Sequence, residues 1–288
     1  MATFQVQVEG LTSLSVGTSP TTGELTQYLK DGVIDVTNKS ITMNPSTVKH
    51  FSRVSTIKTS NPLDINGARI LSVVREAGTN NDWRNCTEIP LHLQSRVTDI
   101  NSLNYASKFN PAYTILENGQ INVYPEPGAD PNSFKVYYVN NVPEDKGGDA
   151  LLYSHSDIKY FDDSKVYLVV IYAAIKSLEN HLGSLNAAPT VGGASEELTG
   201  TMDSDSAGYG TDNDFKDFSK WFTTAGEFIE DEEDEELAAM QIQKINSYVQ
   251  AFQAQNQANV SAHSHLQLRH AILSRQYESA FGMKPKDQ

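Results

Sequence analysis

At 288 residues the chain is long enough for one large domain or two modest ones, and with 39% hydrophobic residues and a mean hydropathy of −0.43 part of it is expected to stay outside any core. The balance of 36 acidic to 22 basic residues gives a net charge of −14, which argues against a protein that grips nucleic acid through a broad basic face. A single cysteine, Cys86, excludes an intramolecular disulfide scaffold and a cysteine-based zinc site.

The first residues, MATFQVQVEG, have neither the positive stretch nor the apolar run of a secretory signal, so synthesis in the cytoplasm is expected. Residues 4–16 read two ways. Phe4, Val6 and Val8 alternate like a strand, while Phe4, Val8 and Leu11 also fit a helix. Thr21 or Thr22 is a candidate N-cap for an amphipathic helix carrying Leu25, Tyr28, Leu29, Gly32, Val33 and Val36, and ending near Lys39. Residues 1–47 form this first segment.

From 48 to 142 the pattern changes to period two, which predicts an antiparallel β insertion. Arg69–Arg75 reads as a strand, Thr87–Leu93 as an extended segment broken by Pro90, and Phe134–Val139 as another strand. Ala112–Tyr124 reads as a hairpin turning on the two residues Asn118-Gly119.

The next segment, 143–183, holds the most apolar long run, Tyr160–Leu182. Asp162 and Asp163 suit its start, and Gly183 suits a left-handed C-cap. Leu168, Ile171, Ile175, Leu178 and Leu182 form one helical stripe, and Val166, Val169, Val170, Ala173 and Ala174 widen it, which predicts a helix buried among other elements. Lys165 and Lys176 leave too short an apolar stretch to span a bilayer.

Residues 184–229 read as an acidic flexible loop followed by an aromatic segment. Phe215, Phe218, Trp221 and Phe222 in that segment are candidate docking residues. The final segment, 230–288, reads as a long helix from near Glu235. Ile245, Val249, Phe252, Asn256, Asn259, His263, Leu266, His270, Leu273, Tyr277 and Ala280 keep a 4-3 spacing, a heptad seam that is polar in its middle. Phe252, Leu266, Leu273 and Tyr277 are its candidate interface residues.

Signals for chemistry are weak. Asp203, Asp205, Gly208, Asp212 and Asp214 loosely resemble a calcium loop, but Ala207 and Asp214 depart from the ligand pattern, and a solvated acidic linker is the preferred reading. His263 and His270 share the seam while His265 does not, which is awkward for joint metal ligation. Gly147-Gly148 and Gly192-Gly193 continue into no phosphate-binding pattern. Cys86 has no neighbouring histidine in sequence and reads as a small buried side chain. The aromatic residues of the hairpin and of 134–138 read as sheet core or interface, since a base-stacking platform would need basic companions. No catalytic, cofactor or metal site is expected, and the fold expected is α+β: a helical core with an inserted antiparallel β subdomain.

The order of these elements resembles head–tail adaptor (connector) proteins from the neck of tailed bacteriophages. The resemblance rests on Pro20–Ser40, on the hairpin AYTILENGQINVYPEP with the strand FKVYYV, on YFDDSKVYLVVIYAAIKSLENHL, and on EDEEDEELAAMQIQKINSYVQAFQ. The acidic loop at 183–214 and the extended last helix depart from that pattern. The resemblance implies a non-enzymatic virion protein forming a homo-oligomeric ring of about twelve subunits. It implies a portal protein above, a tail or neck protein and tail fibres below, and genomic DNA passing through without specific binding or a membrane partner. The alternative is another neck or tail structural protein, such as a tail terminator or fibre-attachment protein. A nucleic-acid enzyme or regulator would need a basic groove or a site.

Overall fold

A computed structural model describes residues 2–79, 81–186, 229 and 235–282. The chain divides into two compact units, Met1–Ser177 with Leu273–Gln288, and Leu178–Ile272. The fold is α+β, with a β subdomain inserted between helical segments.

In the first unit, the ambiguous opening residues are helical: α1 spans Phe4–Thr12. Thr3 caps it by accepting from the Val6 N–H, and Phe4, Val8 and Thr12 are buried at steps of four. The Phe4 and Gln5 N–H groups, which have no partner inside a helix, donate to the carbonyls of His155 and Tyr153 at 2.8 and 3.0 Å. Helix α2 spans Thr22–Met43, one turn longer than its apolar pattern predicts. Its N-cap is Thr21 in a capping box: the Thr21 N–H donates to Glu24 Oε2 at 2.8 Å and the Glu24 N–H to Thr21 Oγ1 at 3.2 Å. Pro45 then opens a 3-10 turn through Phe51, where its missing N–H is harmless.

The insertion contains seven short strands among the described residues: β1 (Ser52–Val54), β2 (Ile70–Glu76), β3 (Trp83–Asn85), β4 (Thr87–Glu88), β5 (Ala112–Ile115), β6 (Ile121–Tyr124) and β7 (Phe134–Val139). One sheet has the order β1-β7-β2-β3 and is antiparallel throughout. The other has the order β4-β5-β6, and β4 pairs parallel to β5, so the insertion is not purely antiparallel. The two sheets share one apolar core: β2 and β7 supply Val73, Phe134 and Val136, and β5 and β6 supply Tyr113, Ile121 and Val123.

Three local expectations in the insertion need correction. Thr87–Leu93 is extended only to Glu88; after Pro90 the chain makes a 3-10 turn, Leu91–Leu93, and helix α3, Gln94–Thr98. Pro90 therefore starts a helical turn rather than interrupting a strand. The hairpin turn has three loop residues rather than two. Leu116 N–H donates to the Gln120 carbonyl at 2.7 Å, and Gly119 takes φ 78° beside Gly67, where a side chain would sit 2.9 Å from the Gly67 backbone.

The core helix α4 spans Val166–Asn186. A 3-10 turn at Asp163–Lys165 precedes it, capped by Asp162, whose carboxylate accepts from the Ser164 N–H at 3.0 Å. Tyr160 and Phe161 lie ahead of the helix. Gly183 does not end it: glycine permits a left-handed cap but does not impose one, and the helix continues for three residues. Residues 143–165, expected within the core-helix segment, form a hydrogen-bonded connection instead. As the apolar pattern predicts, Leu168, Val169, Val170, Ala173 and Ala174 are buried. Within the first unit α2 comes close to α4 at Gly32, whose added Cβ would lie 3.0 Å from Tyr172 Cδ1 and 3.3 Å from Val169 Cγ1.

Helix α5 spans Glu235–Ala280 and crosses from the second unit into the first. Glu235 and Glu236 occupy its first turn, where negative charge opposes the positive end of the helix dipole. In the second unit Leu178, Ala238 and Ile245 are buried, and His270 Nε2 meets Glu179 Oε1 at 3.3 Å.

Candidate functional site

The candidate interface residues fall in different settings. Phe215, Phe218, Trp221 and Phe222 lie outside the described residues, as do the calcium-like loop from Asp203 to Asp214 and Gly192-Gly193. Phe252 belongs to α5, but its side chain is outside the description. Leu266 is half-buried. Leu273 and Tyr277 are buried in the first unit, so they are occupied by their own chain.

Tyr277 is the better defined of the two. Its ring packs 5.8 Å from that of Tyr172 on α4 and 5.2 Å from that of Phe281. Its hydroxyl donates to Asp35 on α2, and the same carboxylate pairs with Lys39 at 2.7 Å. The Lys39 ammonium also sits 4.7 Å from the centre of the Tyr277 ring. Burial, reinforced by the hydrogen bond to an anionic acceptor, pushes the Tyr277 hydroxyl far above the usual tyrosine range. The end of α5 is thus pinned to α2 by an aromatic ring and a charge-assisted hydrogen bond.

Much of the rest of α5 is uncovered. The seam is its less exposed side: Ile245, Leu273 and Tyr277 are buried and His263, Leu266 and His270 half-buried, with Val249 the exposed exception. Away from the seam, Met240, Ile242, Val260, Leu268 and Ile272 face solvent.

A second apolar surface lies between β4 and β5, in residues that periodicity does not mark. The loop 89–111 has a small core of its own, formed by Val97 and Ala106 with Ala112 and Tyr124 of the sheet and Ile89 against them. Above that base Ile100 is 74% exposed, Leu103 106% and Phe109 63%. Apolar residues scattered among Asn101, Ser102, Asn104 and Asn110 were the available sequence signal: turn chemistry with large apolar side chains that have no core to enter.

The other candidates resolve into structural roles. The Gly148 and Asp149 N–H groups, which could otherwise cradle a phosphate, both donate to Asp145 Oδ1 at 2.8 Å. Those backbone bonds, that of Asp149 foremost, hold the Asp145 carboxyl below the usual range. Cys86 is buried in the β core, and burial pushes its thiol up to about 12, so it is not a thiolate at neutral pH. Tyr113 and Phe134 are core residues, and the Tyr113 hydroxyl donates to Glu88 at 3.0 Å. Tyr137 is partly exposed, and Lys135 lies 4.1 Å over the ring of Trp83. Among the described residues no group of three His, Cys, Asp or Glu side chains is placed to hold a metal ion. A cleft of about 410 Å³ between α2 and the β2 and β7 ends is bordered by Ile34, Thr37, Ile41, Ala68, Arg69 and Val139, and its border contains no carboxylate, histidine or thiol.

No protein-family model matches the chain, and no curated protein matches it. Among the described residues no helix is long and apolar enough to cross a membrane.

Proposed function

We propose that this chain is a structural protein of a tailed-phage virion, a head-to-tail adaptor. Its copies form a ring below the portal that joins the capsid to the tail, and genomic DNA passes through the lumen. It performs no reaction and works by covering and being covered. The observation that carries this reading is helix α5. It has 46 residues, is pinned at its end by Tyr277, and leaves Met240, Ile242, Val260, Leu268 and Ile272 in solvent. An isolated helix gains little from propensity alone and is normally held by packing along an apolar face. In a ring, neighbouring copies, the portal or the tail supply that packing. The net charge of −14 also supports a conduit: like charge opposes phosphate contact, so DNA slides rather than sticks.

The test is to mix the purified chain with portal rings and weigh the products by mass photometry. A closed ring of about twelve copies on each portal is expected. A chain that ignores the portal at every concentration refutes the reading. Deleting residues 260–288 to map the contact would also remove the Tyr277 anchor. The cleaner variant is Val260→Glu with Leu268→Glu, which alters only exposed positions and should abolish portal loading without changing the fold.

A further inference from the structure

The loop 89–111 is built to present its apolar side chains rather than to hide them. The Asn101 N–H donates to Asp99 Oδ1 at 2.9 Å, the Ser102 N–H to the Asp99 carbonyl at 2.9 Å, and the Tyr105 N–H to the Ser102 carbonyl at 3.1 Å. Ala106 closes the base by donating to the Val97 carbonyl at 3.0 Å, and Val97 and Ala106 are both buried. The tip is therefore held in place before any partner arrives, which lowers the ordering cost of binding. Leu91, Ile100, Leu103 and Phe109 are the exposed apolar groups, and Arg96 and Lys108 flank them.

Charge decides what covers this tip. Residues 89–111 carry Arg96 and Lys108 against Asp99, a net charge of +1 in a chain of −14. An anionic membrane would attract the loop but repel the −15 carried by the rest of the chain. Two tips meeting each other would set Arg96 and Lys108 against their own copies. An acidic face of another copy satisfies both constraints. One described segment fits: 142–163 has six carboxylates against two lysines, and it exposes Val142 and Leu152.

We propose that the 89–111 tip is the self-association element of this protein, seating its apolar side chains on the acidic 142–163 face of a second copy. The contact is head-to-tail, the kind that generates a ring when its rotation closes. The inference rests on the adaptor reading only for the expectation that the ring closes; the contact itself stands on charge and exposure.

The experiment is sedimentation velocity of the full chain over a wide concentration range, beside Ile100→Asp with Leu103→Asp. A second variant, Arg96→Glu with Lys108→Glu, spares the apolar tip, and a third adds Asp149→Lys to that pair. The first two are expected to weaken self-association by roughly tenfold or more, as loss of a central anchor does. The third should restore it, and the wild-type association should weaken as salt rises. Should the aspartate variant fail to fold, the charge series tests the contact alone. Wild-type self-association unchanged in all variants overturns the inference and leaves the adaptor reading standing. A wild-type chain that stays monomeric throughout, or whose tip instead binds phosphatidylserine vesicles, also overturns it. Portal loading then judges the adaptor reading independently.

Discussion

Replacing Tyr277 tests how the last helix is held. Tyr277→Phe keeps the ring and its neighbours Tyr172 and Phe281 but removes the hydroxyl that donates to Asp35. A hydrogen bond to a charged group is worth about 1.5–3 kcal/mol. Here Asp35 keeps Lys39 at 2.7 Å, and its side chain is 32% exposed, so water replaces part of the loss. The expected cost is about 1–2 kcal/mol, or a fall in Tm of about 2–8 °C for a chain of this size. Tyr277→Ala also empties the buried ring site and should cost about 3–5 kcal/mol. The pH dependence separates the hydroxyl from the ring. Because the folded-state pKa is raised above the unfolded value of about 10, the hydroxyl's contribution is fully present below that pH and is lost as pH rises through the folded value. The gap in stability between wild type and Tyr277→Phe should therefore be constant from neutral pH to about 9 and shrink above about 10. Thermal melts followed by circular dichroism across that range provide the assay. A Tyr277→Phe protein that melts with the wild type at pH 7 and keeps the same alkaline limb would show that the Asp35 contact holds nothing.

Three further outcomes follow from the packing. Gly32→Val forces a branched side chain against Tyr172 and Val169 where even a Cβ would lie at 3.0 and 3.3 Å; a loss of about 1–3 kcal/mol is expected in chemical denaturation, and an unchanged midpoint would mean the helices separate freely. The buried Arg75 guanidinium donates to the carbonyls of Pro125, Glu76 and Glu126 at 3.0, 2.7 and 3.2 Å, so Arg75→Lys, which lacks the planar fork, should cost about 1–3 kcal/mol; a neutral substitution refutes the role of that fork. Cys86, with its thiol pushed up to about 12 by burial, should resist a disulfide reagent at pH 8 in the native protein and react fully once denatured; fast native labelling would place it at the surface.

What the sequence determined was whatever depends on neighbours along the chain. The helix periods of α2, α4 and α5, the capping residues Thr21 and Asp162, and the alternation of β2, β6 and β7 are all local. Each side chain's preference could be read from positions three, four or two residues away, because helix and strand periods bring those positions to one face. What tertiary structure decided was which of those faces are covered. The strand-or-helix ambiguity at 4–16 ended in a helix because Phe4, Val8 and Thr12 are buried on one face and the first N–H groups find carbonyls near residue 154. The parallel pairing of β4 with β5 depends on a partner more than twenty residues away, beyond any local pattern. The heptad seam placed Leu273 and Tyr277 on the right face but could not say that α2 and α4 of the same chain would occupy them. The exposed tip of 89–111 escaped pattern reading for the same reason. Ile100, Leu103 and Phe109 are as apolar as core residues, and only the folded loop, anchored at Val97 and Ala106, leaves them in water.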